Sequence, residues 1–332
     1  MHRRSRTRAA TSCSTTPRPI FRARTRRYDI IISEPSNPWV SGVSSLFTDE
    51  FYRLVRRHLN EGGVLVQWFQ LYEIDVRLIA SVLRAVGQNF SEYAVYATTD
   101  SDLLIVAGDP DTLARPLVDV FAAHPGVGQE LRKVHVQTIG DMELRRLGGK
   151  LALHPLFLSY NAPPNSDYYP YLDLNAARHR FLQTDASELT QIGAAGVPVV
   201  EILEGRPRYT RSISHDGDDF LDRIEYARRA AYARDFLIGA APPEPRGIPA
   251  QLQKDLELVQ MRGLDCIDPG KTDMWVRSAT GVARSVNSSL PKSDAGAIWS
   301  SFEHADCAKR LPEADRRWLE LFAAIGAHDA AH

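Results

Sequence analysis

From Tyr28 the chain alternates between short apolar runs and longer segments of helical periodicity. "YDIIIS", Tyr28–Ser33, is a continuous apolar run, the pattern of a strand buried on both faces. A polar loop with two prolines, residues 34–47, follows. Thr48 then reads as a helix N-cap, with Asp49 and Glu50 where negative charge favours the helix dipole. Phe51, Leu54, Val55 and Leu59 recur at helical spacing. That helix is expected to run to "NEGG", where Gly62 or Gly63 supplies a left-handed cap. "GVLVQWF" predicts a second buried strand. "YEIDVRLIASVLRAVGQNF" predicts a second helix, apolar at Ile74, Leu78, Ile79, Val82, Leu83 and Val86. "EYAVYAT" and "DLLIVAGD" predict two more strands, and the short "TDS" between them favours an antiparallel hairpin.

Beyond about Asp111 the pattern turns helical and irregular. "PLVDVFAAH" and "DMELRRLGG" read as helices, and "YNAPPNSDYYPYLDL" as a loop rich in proline, asparagine and tyrosine. From about Asp216 onward helices alternate with proline and glycine breaks: "DDFLDRIEYARRAAYARDFLIG", "IPAQLQKDLELVQMRG" and "EADRRWLELFAAIG".

The size, 332 residues with 44% apolar, allows one large domain or two medium ones with a substantial core. A net charge of −1 gives no global reason to expect nucleic acid or an anionic membrane as partner. No apolar run approaches the length of a transmembrane helix. Cys13, Cys266 and Cys307 match no metal spacing and suggest ordinary packing in a reducing, cytoplasmic compartment. Residues 1–27 stand apart. They hold nine arginines and no acid, without an apolar core of a signal peptide, and read as a disordered or non-native N-terminus.

The stretch "YDIIISEPSNPWVSGVSSLFTDEFYRLVRRHLNEGGVLVQWFQLYEI" resembles the spermidine/spermine synthase family, in particular a bacterial branch often fused to membrane helices. In that family a strand ends at an acid, a Pro-containing loop follows, a helix opens, and a glycine pair precedes the next strand. The likeness returns at "PPNSDYYPYLDL". It implies a methyltransferase-like Rossmann sheet. It also implies a reaction in which a polyamine amine attacks the propyl carbon of decarboxylated S-adenosylmethionine and displaces methylthioadenosine. Because an ammonium has no lone pair, such a site needs a carboxylate base and further anionic groups for the distal amines. The resemblance places the base at Glu34. The family's second loop acid falls at Asn37, which supplies no charge. Trp39 belongs to the same "SNPW" loop, which is also similar to the loop of amino-methyltransferases that holds a target amine. Gln67, Gln70, Tyr72 and Glu73, at the end of the second strand, are the expected lining of the acceptor pocket. Asp167 is the expected source of the acid that Asn37 lacks.

A Rossmann domain of this kind holds its nucleotide with a glycine-rich turn and a ribose-binding acid, both upstream of the strand ending at Glu34. The 27 residues before Tyr28 contain no glycine. The expectation is therefore an N-terminally truncated, partial Rossmann-like sheet followed by a mostly helical region. Its segments are 1–27, an arginine-rich terminus; 28–112, the C-terminal half of the synthase-like domain; 113–212, a family-associated extension; and 213–332, a helical region. The chain is expected to be inactive alone and to bind no cofactor, the family's donor substrate being decarboxylated S-adenosylmethionine. The expected ligand is a polyamine, and the associations left open are a homo-oligomer or a partner chain that supplies the missing half. A catalytically dead interaction module and a methyltransferase acting on an amine remain alternatives.

Overall fold

A computed structural model describes residues 26–114, 119–192, 198–205, 222–240, 248–267 and 272–329. The expected α/β order is present. Strand β1 (Tyr28–Ser33) leads through a 3-10 turn (Val43–Phe47) to helix α1 (Asp49–Arg57), strand β2 (Leu59–Gln70), helix α2 (Val76–Asn89) and the hairpin β3 (Glu92–Thr99) and β4 (Asp102–Gly108). Three short helices follow, α3 (Pro110–Leu113), α4 (Val120–Ala123) and α5 (Pro125–Lys133), then α6 (Ile139–Leu144) and strand β5 (Arg146–Gly149). Helices α7 (Lys150–Ser159), α8 (Tyr171–Phe181) and α9 (Val199–Glu204) complete this part. The sheet order is β1-β2-β4-β3-β5; β1 and β2 are parallel and the remaining pairs antiparallel.

Because side chains alternate across a strand, register sorts the sheet into two faces. Ile31, Leu65, Phe69, Ile105, Val95 and Tyr93 point toward the helices and are buried. Ile30, Ile32, Val64, Val66, Trp68, Leu104 and Val106 lie on the opposite, more open face. β1 was expected to be buried on both sides. It is an edge strand instead, with Ile30 58% and Ile32 72% exposed. A central position was inferred from its unbroken apolar run, yet among the described residues no element covers that end of the open face.

The helix boundaries follow local chemistry. Thr48 caps α1, its Oγ1 accepting from Phe51 N at 3.3 Å, and Asp75 caps α2 by accepting from Arg77 N at 2.8 Å. The first helix ends five residues before the glycines, at Arg57. Tyr28 N donates to the His58 carbonyl at 2.7 Å, so sheet pairing takes over as soon as the helix stops. Gly62, with φ +69°, sits inside β2 where the β1 pairing slips, a bulge rather than a helix cap. "DMELRRLGG" is also not one helix. Its second half is β5, where Gly148 and Gly149, lacking side chains, allow close approach of Leu153 and the Tyr93 carbonyl.

The C-terminal helices are α10 (Asp222–Leu237), α11 (Ala250–Gly263), α12 (Thr272–Ser289), α13 (Lys292–His304) and α14 (Glu313–Gly326). They surround an apolar cluster of their own that includes Leu237, Leu256, Trp275, Trp299, Phe302 and Phe322. The sheet's cluster runs from Ile31 to Ala227, so α10 contributes to both cores. Asn287 ties α12 to its neighbours, accepting from Trp299 Nε1 at 2.8 Å and donating to the Phe322 carbonyl at 3.0 Å. Cys266 and Cys307 form a disulfide, which corrects the expectation that the cysteines merely pack. Their separation of 41 residues concealed a helical arrangement that returns the chain to within 4.9 Å, Cα to Cα. Cys13 and the segment 206–221 lie outside the described residues, as do residues 116–118 of "PLVDVFAAH". No helix among the described residues is long and apolar enough to cross a membrane.

Candidate functional site at the carboxyl end of the sheet

β1 and β2 run in the same direction, so the loops that follow them meet at one end of the sheet. Pro35 and Pro38 are buried and fix the first loop, and Val40 N donates to the Asn37 carbonyl at 3.0 Å. The second loop is strapped down from elsewhere. Leu71 N donates to Ser101 O at 2.7 Å, Ala186 N to Leu71 O at 2.9 Å, and Ile74 N to Thr184 O at 3.0 Å.

The two loops touch through side chains. Tyr72 Oη donates to Asn37 Oδ1 at 3.4 Å, and the rings of Trp39 and Tyr72 meet edge-on with centroids 6.4 Å apart. Arg180, in the last turn of α8, lies over Trp39 with its guanidinium 5.2 Å from the ring centroid. Its Nε is 3.7 Å from Glu73 Oε2. Burial pushes the Tyr72 phenol above its ordinary value, with a further contribution from the Asp102 carboxylate. Glu34 is exposed and makes no hydrogen bond or ion pair among the described residues. It directly follows the last residue of β1.

Gln70 and Asp102 are cross-strand partners on the open face of the sheet. Gln70 is 1% exposed, and its Nε2 donates to the Tyr72 carbonyl at 3.3 Å. Its Oε1 has no donor among the described residues. Asp102 Oδ2 accepts from Thr99 Oγ1 at 3.0 Å, but Oδ1 is shielded from solvent and has no donor among the described residues either.

The remaining two sequence candidates lie elsewhere. Gln67 points to the helical face and is fully buried. Its Oε1 accepts from Tyr52 Oη at 2.5 Å, and its Nε2 donates to Leu46 O at 3.0 Å and to Ser33 Oγ at 3.3 Å. This amide spans β1, the 3-10 turn and α1, and holds the strand end in place. Asp167 is exposed beside the first turn of α1, its backbone N donating to Glu50 Oε2 at 2.8 Å. The residue of that loop with the most internal bonds is Asn165. It is fully buried, accepts from Leu172 N at 3.0 Å, and donates to Phe47 O at 2.9 Å and Ser44 O at 3.4 Å. Sequence reading missed Asn165, Asp102 and Arg180. Asp102 looks like an ordinary turn residue, and Arg180 like one charge among several on an exposed helix.

A sheet with a parallel leading pair, a closing antiparallel hairpin and polar groups gathered beyond its strand ends is a methyltransferase-like α/β arrangement. Residues 19–100 match the family model described as the spermine/spermidine synthase domain. No curated protein matches the chain. The matched span includes Glu34, Asn37, Trp39, Gln67, Gln70 and Tyr72, and stops before Asp102, Asp167 and Arg180. Among the described residues, no glycine-rich turn carries a strand into a helix. β2 reaches α2 through residues 71–75, which contain no glycine.

Proposed function

We propose that this cluster is the acceptor side of an aminopropyl-transfer site. One observation carries the reading: inside the matched segment, Glu34 offers a carboxylate with no partner among the described residues, at the same sheet end as Trp39, Tyr72 and Glu73. Aromatic faces and carboxylates are what an alkylammonium seeks. Glu34 accepts the proton of the attacking amine. The freed nitrogen lone pair forms a bond to the propyl carbon of decarboxylated S-adenosylmethionine, the carbon–sulfur bond breaks, and methylthioadenosine leaves. Gln67 acts at one remove, holding the strand end from which Glu34 projects.

The test supplies putrescine and decarboxylated S-adenosylmethionine and measures methylthioadenosine release. General-base contributions are roughly 10²–10⁴-fold, so in a protein to which the donor-binding half has been restored Glu34→Gln is expected to lower turnover by about that factor with the fold retained. Equal turnover in the variant overturns the assignment of Glu34. Putrescine binding without any methylthioadenosine from the wild-type chain restricts the reading to amine binding. Asn37→Asp, which adds an anion to the loop, is expected to tighten putrescine binding about tenfold.

A further inference from the structure

We propose that Cys266 is a site of thiol–disulfide exchange, and that its bond to Cys307 is a latch that a dithiol reductant opens on the folded protein. The two cysteines differ in surroundings: Cys266 is exposed, whereas Cys307 is buried. An attacking thiolate therefore meets Cys266 first, with Cys307 as the leaving group. The reductant's first thiolate bonds to the Cys266 sulfur, the Cys266–Cys307 bond breaks, and Cys307 takes up a proton. The reductant's second thiolate then displaces Cys266, which is protonated in turn. Two electrons and two protons pass to the protein, and the reductant becomes a cyclic disulfide. A place for the released thiol already exists. Cys307 Sγ lies 3.0 Å from the Leu264 carbonyl oxygen, an acceptor that a thiol can use and a disulfide sulfur cannot. Cys266 sits at φ +58°, in the left-handed region that a non-glycine residue adopts at a cost in energy, and opening frees it.

What the latch holds shut is a polar centre in the helical cluster. Cys266 lies three residues after α11, and Cys307 three residues after α13 and six before α14. Arg262 is in the last turn of α11, Asp315 in the first turn of α14, and Trp275 near the start of α12. The Arg262 guanidinium lies 5.5 Å from the Trp275 ring centroid, and its Nη2 is 3.1 Å from Asp315 Oδ2. Both charged side chains are nearly buried, 10% and 5% exposed. Their contact is an ion pair without hydrogen-bond alignment: Arg262 Nη1, Trp275 Nε1 and Asp315 Oδ2 make no hydrogen bond among the described residues. Buried polar groups normally have partners, and each unmet one costs free energy that contact with water returns. The closed state therefore carries a penalty at the same elements that the disulfide joins. A cross-link over a fully satisfied core gains nothing by opening; here opening lets water reach two donors and an acceptor. Leu264 N donates to Gln260 O at 2.8 Å and Ile267 N to Met261 O at 2.7 Å, and these bonds beyond the end of α11 are the ones that opening releases.

The experiment adds dithiothreitol, a neutral dithiol, to the full chain purified without reductant, and follows free thiols and backbone hydrogen exchange. Attack at the exposed Cys266 is expected to proceed in proportion to dithiol concentration, at a rate unchanged by urea too dilute to unfold the protein. In the reduced, still folded protein the amides of Leu264 and Ile267 are expected to exchange about tenfold or more faster relative to those of α13, the scale of one relieved buried polar group. Reoxidation is expected to restore slow exchange, and Cys266→Ser to show the fast exchange without reductant. Arg262→Met combined with Asp315→Leu replaces the polar pair by apolar groups, and there reduction is expected to leave that ratio unchanged. A reduction rate that climbs steeply with dilute urea overturns the inference, because the disulfide then opens only through unfolding. So does a reduced protein in which Leu264, Ile267 and α13 quicken equally, or a double variant that keeps the full difference. Three free thiols in protein purified without reductant overturn it as well. If the double variant fails to fold, Cys266→Ser decides: exchange as slow as in the oxidised chain overturns the latch.

Discussion

Replacing Asn165 by alanine tests whether the loop before α8 clamps the site or merely connects helices. The side chain is fully buried and bonds only to backbone: Leu172 N, Phe47 O and, more weakly, Ser44 O. Its bond to Leu172 does the work of an N-cap for α8 from outside the helix, a role whose loss costs about 0.5–2 kcal/mol. The Phe47 carbonyl would lose a buried donor, at about 1–3 kcal/mol. The longer contact to Ser44 adds little. Together these give about 3 kcal/mol, with the main chain of Asn165 still free to bond Ser81 and Asp49. Urea unfolding should show a lower midpoint with an unchanged slope, and hydrogen exchange in α1 and α2 should quicken. Asp167→Ala, two residues away and exposed, should change stability by about 0.5 kcal/mol at most. A loss below about 0.5 kcal/mol for Asn165→Ala would refute the clamp.

Three further outcomes are expected. In unfolded, unreduced protein a thiol reagent should find one of the three cysteines free, and after reduction all three; reduction should cost the helical cluster about 2–4 kcal/mol. Tyr52, Tyr72 and Tyr93 have phenols raised above the ordinary range, chiefly by burial. The folded state therefore holds protons that the unfolded chain gives up first. Stability from these groups is intact below about pH 10 and falls as pH rises beyond it, and phenolate absorbance should show a lagging fraction that unfolding releases. Arg180→Ala should tighten putrescine binding about two- to tenfold, since it vacates an aromatic face and a carboxylate held by exposed contacts of about 0.5–1 kcal/mol each. Unchanged or weaker binding would mean that Arg180 shapes the site rather than competing for it.

The strands and helices around the site were legible because their apolar periods are strong and their caps, Thr48 above all, are local. Glu34, Asn37, Trp39, Gln70 and Tyr72 were legible as a group because all follow two parallel strands. What escaped depends on pairing between distant segments. Gln67 and Gln70, three residues apart in one strand, must face opposite sides, but which of them faces the helices is known only once the sheet is packed. Asp102 gains meaning only when β4 is seen lying between β2 and β3. Asn165 and the disulfide depend on contacts across long stretches of chain, where local pattern carries no information. The edge position of β1 was misread for a related reason: an apolar strand signals a buried environment, whereas strand order decides whether that environment is present.

That edge has a bearing on handling the protein. Among the described residues β1 pairs only with β2, so its other side presents unmet backbone donors and acceptors, and Ile30 and Ile32 flank them as apolar side chains. A short, aliphatic, uncharged run of this kind is a template for fibrillar self-association. Arg26, Arg27 and Asp29 before the isoleucines and Glu34 after them act as charged gatekeepers. Gatekeepers of this kind lose strength as ions screen them, so dilute buffer of low ionic strength is the condition in which this strand stays single.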